Sequence, residues 1–185
     1  MAHTTFIRNG ETACDEKGLS NLAIAFMALS GIVSQNDYLV EAQGTPDNTV
    51  KVNPGRIYVK TTDGTMMYGA YLDSSQNVAI SPNVSGVTRT DSIVVYFDLS
   101  VAPNADASNV AKFYDVTGPT DGSQDPPTNA QILAAIGSTN PYFILANVSV
   151  ANGFTSINNG NITDKRTLTA LGGGGADVLE VQVFS

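Results

Sequence analysis

The sequence has no tryptophan, one cysteine (Cys14), one histidine (His3) and little charge: 14% of its residues are Asp, Glu, Lys or Arg, against about 25% in an average soluble domain. A single cysteine excludes an intrachain disulfide and any cysteine-rich zinc module. A Ser-His-Asp arrangement needs an ordered imidazole to take the nucleophile's proton. The one imidazole here stands close to the N-terminus, where chains are seldom well ordered. Cys14 lacks any other histidine to activate it. No GxxxxGK[ST] run is present, and Gly172 to Gly175 do not follow a strand in a βαβ context, so a phosphate cradle is missing. Catalysis, cofactor binding and metal binding are therefore not expected. The nine basic residues are scattered singly except Lys165-Arg166, and the net charge is −8, which argues against nucleic-acid binding through several neutralised phosphates. Long apolar runs are absent too. The longest, Leu19 to Val33, is broken by Ser20, Asn21, Ser30 and Gly31 and is shorter than the ~20 residues of a membrane span. The start, Met-Ala-His-Thr-Thr-Phe-Ile-Arg, lacks the charged and apolar regions of a secretion signal. A soluble protein made in a cytoplasm is expected.

What is there is 42% hydrophobic and rich in Gly, Asn and Thr over 185 residues, enough for one domain with an arm or tail. Residues 1–18 read as a polar arm. Leu19, Leu22, Ala23, Phe26, Leu29 and Val33 recur at spacings of three and four, the signature of one helical face. The spacing predicts a helix over about 16–30, stopped by Gly31. Its other side carries Ala25, Met27 and Ala28, which points to burial on more than one side, as an ordinary core helix or between subunits.

From Tyr38 the period becomes two. The runs 48–52, 56–61, 66–72 and 78–80 are rich in β-branched and aromatic residues, separated by Thr45-Pro-Asp-Asn, Asn53-Pro-Gly55, Thr62-Asp-Gly-Thr65 and Asp73-Ser-Ser-Gln-Asn77. Turn clusters at this interval predict antiparallel strands in a sandwich or barrel, and Asp63-Gly64 is a hairpin signal. Residues 92–97, apolar at nearly every position, read as a central strand buried on both faces, with 110–116 as partner. Thr128-Asn-Ala-Gln131 has capping-box spacing and Gly137 a stop, predicting a helix over 129–136. Strand 143–150 and an extended piece at 155–157 follow. Four glycines, 172–175, form a flexible joint before a strand carrying Val178, Leu179, Val181, Val183 and Phe184. Beyond such a hinge a strand can pair with its own sheet or reach a neighbouring subunit, the second being the geometry of strand exchange. The expected organisation is an arm and helix over 1–37, a β domain over 38–168 and a hinge with an exchange strand over 169–185. The fold class is mainly β: an antiparallel sandwich or barrel with an N-terminal helix, one short inserted helix and the C-terminal strand.

Few residues carry candidate chemistry. Asp115, Asp121 and Asp125 fall in one region without the alternating spacing of a calcium loop, and read as solvated loop acids. Sequons start at Asn83, Asn147 and Asn161, as chance allows in so Asn- and Thr-rich a chain. More specific are Arg89-Thr-Asp91, before the apolar strand, and Asp164-Lys-Arg166, after the last strand of the β domain, the same charges in reversed order. Arginine forks onto a carboxylate through two parallel hydrogen bonds, so these four residues are expected to form a pin closing the β domain. Leu19, Leu22, Phe26 and Leu29, with Val178, Leu179, Val181, Val183 and Phe184, are the expected assembly contacts.

The order of segments resembles the N-terminal attachment modules of bacteriophage baseplate and tail-fibre proteins. The residues that carry the likeness are Gly31-Ile-Val33 after the helix, Tyr38-Leu-Val-Glu-Ala, Val50-Lys-Val-Asn-Pro-Gly-Arg-Ile57, Arg89-Thr-Asp-Ser-Ile-Val-Val95, Tyr142-Phe-Ile-Leu-Ala-Asn-Val148 and Asn161-Ile-Thr-Asp-Lys-Arg166, within about residues 16–168. The resemblance implies a virion structural protein of the tail or baseplate, made in the host bacterial cytoplasm. It implies a homotrimer that joins a fibre to other tail proteins, without catalytic residues, cofactor, metal, nucleic acid or membrane insertion. The short continuation past the module favours an adaptor role. Two alternatives stand beside this reading. One is a β module binding host-surface glycan through Tyr58, Tyr68 or Tyr71; the other is a head decoration or head-fibre protein.

Overall fold

The computed structural model describes Ser20, Ala23, Ile24, Met27, residues 29–105 and residues 107–169. Within these, the chain forms β1 (Gly31–Ile32), β2 (Val40–Ala42), β3 (Thr49–Val52), β4 (Gly55–Lys60), β5 (Met67–Leu72), β6 (Gln76–Ala79), β7 (Arg89–Phe97), β8 (Ala111–Val116), α1 (Asn129–Ile136), β9 (Tyr142–Val150), a 3-10 turn (Asn159–Asn161) and β10 (Ile162–Asp164). All the strand pairs are antiparallel, in sheets ordered β1-β4-β5, β2-β3-β6 and β10-β9-β7-β8. The class is mainly β, as the alternating runs predict.

Two of these sheets meet along both edges: β6 lies against β8, and β10 against β2. The sandwich is thereby close to a flattened barrel with two seams where strands touch without a shared ladder. Its interior is one cluster drawn from all three sheets, including Ile32, Val40, Val50, Val52, Ile57, Val59, Val78, Ile93, Val95, Leu145, Val148 and Val150. Full burial of each such aliphatic stabilises by about 1.5–3 kcal/mol, and this drives the closure.

Strand β7 runs between β8 and β9, which explains its nearly unbroken apolar sequence. Ile93, Val95 and Phe97 face the main core. Val94 faces the other way, into a small cluster with Val116, Ile132 and Ile136 beneath α1. An alternating strand would leave that second face wet, and here the helix covers it. α1 starts on the predicted capping box: the Thr128 backbone N–H donates to Gln131 Oε1 at 2.8 Å and Thr128 Oγ1 accepts the Gln131 N–H. Pairing across β7 and β9 slips after Ile93, which faces Ala146 while Val94 faces Ile144, so Leu145 is the extra residue of a β-bulge.

Three expectations change. Ser20, Ala23 and Ile24 are helical and the Met27 N–H bonds the Ala23 carbonyl at 2.7 Å, but the chain is already irregular at Leu29 and Ser30 and extended at Gly31, so the helix does not reach residue 30. Gly31 is a strand residue, not a helix stop. Residues 155–157 form no strand; Ile157 is buried by side-chain packing and its N–H donates to the Asp47 carbonyl. Asp115 is no loop acid: it lies in β8 and is only 7% exposed.

Candidate functional site

The notable chemistry sits at the two seams, each of which holds an arginine and its carboxylate. Arg89 opens β7 and Asp91 lies two residues on, so both side chains point to the same face of the sheet. The guanidinium meets the carboxylate in a fork, Nε to Oδ1 at 2.8 Å and Nη2 to Oδ2 at 2.9 Å. Its remaining donors reach across to the segment that leaves β6, to the Ser81 carbonyl at 2.6 Å and the Pro82 carbonyl at 3.0 Å. Asp91 also accepts the Gly118 N–H at 2.9 Å. Gly118 is required there because a Cβ would stand 1.9 Å from the Thr90 carbonyl oxygen. The strand, the segment after β6 and the loop after β8 are thus held at one point.

At the other seam the design is repeated with the residues in reverse order. Arg166 forks onto Asp164, Nε to Oδ1 at 2.9 Å and Nη2 to Oδ2 at 2.8 Å, and its Nη1 donates to the Gln35 and Asp37 carbonyls at 2.9 and 2.6 Å. Those carbonyls belong to the turn that enters β2. Tyr38, next in the chain, is left-handed at φ 55°, a strained conformation for a bulky residue, and its buried ring packs on Phe113 at 5.8 Å between centroids. Asn159 Oδ1 accepts the Ala42 N–H at 2.7 Å close by.

The expected single pin is therefore two clamps, and neither guanidinium reaches the other pair's carboxylate. The i, i+2 spacing on extended backbone puts each carboxylate within reach of its own arginine, so the pair forms locally and its spare N–H groups do the long-range work. The clamps differ in surroundings: Asp91 is fully buried, whereas the Asp164 side chain is 52% exposed. The Arg166 fork holds the Asp164 carboxyl below the usual carboxylate range. Arg166 itself is only 5% exposed, but without Asp164 its guanidinium would still donate to the Gln35 and Asp37 carbonyls, so replacing Asp164 with Ala is expected to lower the melting temperature less than replacing Asp91 with Ala does, as thermal melts of the two would show; an equal loss would contradict the difference between the seams.

Between Arg89 and the β6–β8 seam lies Asp115. Its Oδ2 accepts the Ser81 N–H at 2.8 Å, while its buried Oδ1 has no partner. Burial first, then the neighbouring Asp91 charge, raises its pKa from 3.8 to about 6, against the Ser81 bonds and Arg89, which lower it. It lines a recess of about 270 Å³ with Asn77, Val78, Ser81, Phe113 and Tyr114. Sequence reasoning missed this residue because the signal was tertiary: only the abutment of β6 on β8 buries it. Asp121 and Asp125 are exposed, as expected of loop acids. Among the described residues no group of three or more His, Cys, Asp or Glu side chains is placed to hold a metal ion, and no helix is long and apolar enough to cross a membrane. Asn83, read as a chance sequon, is buried and donates to the Val87 and Val150 carbonyls at 2.8 Å each, so it belongs to the Arg89 end of the sandwich.

The assembly residues divide. Leu19, Leu22, Phe26, Val178, Leu179, Val181, Val183 and Phe184 lie outside the described residues, as do His3 and Cys14. Leu29 is exposed. It stands where the first and last described stretches of chain meet. Ile32 pairs with Leu168 in a parallel bridge, the Ile32 N–H bonds the Thr167 carbonyl at 2.9 Å, the Thr169 N–H bonds the Ile32 carbonyl at 2.8 Å and Thr169 Oγ1 donates to the Leu29 carbonyl at 2.8 Å. Leu29, Val33 and Leu168, all on these two crossing segments, are exposed. Gly31 permits the crossing, since a Cβ would come within 2.5 Å of the Thr167 carbonyl oxygen and 2.6 Å of the Thr169 nitrogen. Gly31→Ala is expected to separate the two segments and cost about 1–3 kcal/mol, read from the denaturant midpoint; an unshifted midpoint would mean the crossing contributes nothing to stability.

Fold and clamps together define a class, a mainly β antiparallel domain closed at two seams by arginine–carboxylate forks. No protein-family model, curated protein or solved structure matches this chain.

Proposed function

We propose that this protein is a structural part of a bacteriophage virion, an adaptor of the tail or baseplate that acts by assembly. The observation that carries the reading is the corner where β1 meets Leu168 and Thr169. The chain enters the β body at Leu29 and leaves it at Thr169, which are hydrogen-bonded to each other; the stretches beyond them carry the expected helix and exchange strand, and the first also reaches β5, where the Met67 N–H donates to the buried Ser20 Oγ at 2.6 Å. Three exposed aliphatic side chains stand on the crossing segments. A body clamped at both seams, with its two flanking segments entering and leaving side by side, is suited to presenting those segments to neighbouring subunits. In such a part, arginine serves better as a clamp than as a surface charge, because unpaired charge is costly when subunits bury it.

The partners proposed are further copies of the chain, in a trimer, and other tail or baseplate proteins. Deleting residues 172–185 is expected to leave the melting temperature of the β body within a few degrees of the full chain while abolishing incorporation into particles. Truncated protein found in particles at normal levels would overturn the reading. Placement on the head as a decoration protein rests on the same physics, and labelled particles imaged at low resolution separate the two locations.

A further inference from the structure

The β4–β5 hairpin has an inner face and an outer face of different character. Ile57 and Val59 point into the core, with Tyr68, Ala70 and Leu72 packed against it. The other register positions, Arg56 and Tyr58 on β4, face Tyr71 and Gly69 on β5 across the ladder. Gly69 has no side chain to stand between them: a Cβ there would lie 2.9 Å from Tyr58 Cε1, so the Tyr58 ring lies across the bare backbone of Gly69. Tyr71 beside it is 76% exposed. A tyrosine this open on a sheet face forgoes most of the burial that its ring would gain inside.

Next to this pair of rings is a recess of about 330 Å³ lined by Val33, Ser34, Asp37, Arg56, Tyr71 and Asp73, among others, at the lower end of the about 300–1,000 Å³ range of small-ligand sites. Its rim offers both hydrogen-bonding senses. The Arg56 guanidinium is a donor only, and no carboxylate among the described residues forms an ion pair with it. Asp73, an acceptor only, has one side-chain donor, the neighbouring Ser74 hydroxyl at 3.4 Å. One oxygen of Asp37, Oδ2, accepts the Ser34 N–H at 2.9 Å, and no other hydrogen bond from the described residues reaches the carboxylate.

We propose that this face is a binding site for a neutral saccharide. The C–H face of a pyranose ring packs on an aromatic face, whose electron-rich surface attracts the polarised C–H groups. Each sugar hydroxyl is donor and acceptor at once, matching a rim with carboxylates on one side and a guanidinium on the other. Two carboxylates against one guanidinium, in a chain of net charge −8, disfavour an acidic ligand and select a neutral one. The polar and aromatic groups of the site, Asp37, Arg56, Tyr71 and Asp73, lie on the hairpin and the turns beside it, and only the Val33 wall is shared with the corner used in the assembly reading.

The test is an array of neutral hexose, neutral N-acetylhexosamine and uronic-acid oligosaccharides probed with the full-length protein, followed by titration of the best glycan. A neutral oligosaccharide is expected to bind. Tyr71→Ala and Arg56→Ala, both at exposed positions, are each expected to weaken it about tenfold or more without moving the melting temperature, while Tyr71→Phe retains binding. Silence on every glycan, binding to acidic glycans alone, binding untouched by both alanine variants, or loss of self-association in Tyr71→Ala in place of glycan binding would each overturn the proposal.

Discussion

Replacing Arg89 with alanine is expected to lower the melting temperature by about 6–20 °C. The change removes a fork onto a fully buried carboxylate and two further bonds to the Ser81 and Pro82 carbonyls. Breaking a buried pair by deleting one partner costs about 3–5 kcal/mol, because the surviving charge is left in a poor solvent. At about 2–4 °C per kcal/mol for a domain of this size, that gives the stated range. Asp91 would keep only the Gly118 N–H and would face Asp115 with no cation between them. The double variant Arg89→Ala/Asp91→Ala is therefore expected to be less than additive, recovering part of the loss. Thermal melts of the three proteins check this, and a single variant that melts with the wild type would show that the β6 end of the sandwich does not depend on the clamp.

Replacing Asp115 with asparagine is expected to stabilise the protein at neutral pH, against the usual direction for a buried polar substitution. The folded state raises the carboxyl from 3.8 to about 6. A group raised on folding contributes stability that is fully present below its unfolded pKa and is lost as pH rises through its folded pKa. Wild type thus gives up stability between about pH 4 and pH 6, and by pH 7 holds an ionised carboxylate with one buried, unpartnered oxygen. A rise of that size corresponds to about 3 kcal/mol, since each tenfold change in an ionisation equilibrium is worth ~1.4 kcal/mol. Asparagine keeps an acceptor for the Ser81 N–H and carries no charge. The difference between variant and wild type should be near zero at pH 4 and grow to about 2–3 kcal/mol by pH 7.5, read from denaturant midpoints at each pH. A constant difference across that range would mean that Asp115 ionises in the fold as it does in the open chain.

Much of the fold was legible along the chain. The capping box and Gly137 placed α1 at its observed residues, and the period of two from Tyr38 to Ala79 placed β3 to β6 within a few residues. Residues 92–97 read correctly as a strand buried on both faces, although nothing local says that a helix supplies the second cover. The arginine–aspartate pairs were visible as pairs because a spacing of two on extended backbone is a local relation. Their division into two clamps was not, since the carbonyls each guanidinium reaches belong to residues 81–82 and 35–37, outside its own strand in one case and 129 residues or more away in the other. Of the three tyrosines considered for a sugar site, sequence could not choose. Tyr68 turns to the core beside Phe97, while Tyr58 and Tyr71 stay on the outer face.

What the sequence by itself determined is what depends on neighbours a few residues apart: strand or helix, which face of each strand is apolar, where turns fall, and which arginine stands two residues from which aspartate. What only the tertiary structure decided is which edges meet. Closure of the β2-β3-β6 sheet on the β10-β9-β7-β8 sheet buries Asp115 and sets the targets of both arginines, and the crossing of β1 with Leu168 brings the chain's entry to the body and its exit side by side. Apart from the Arg89 contacts, which span seven and eight residues, those contacts join residues far apart in the chain, and their energies come from desolvation and packing that no local pattern of residues encodes.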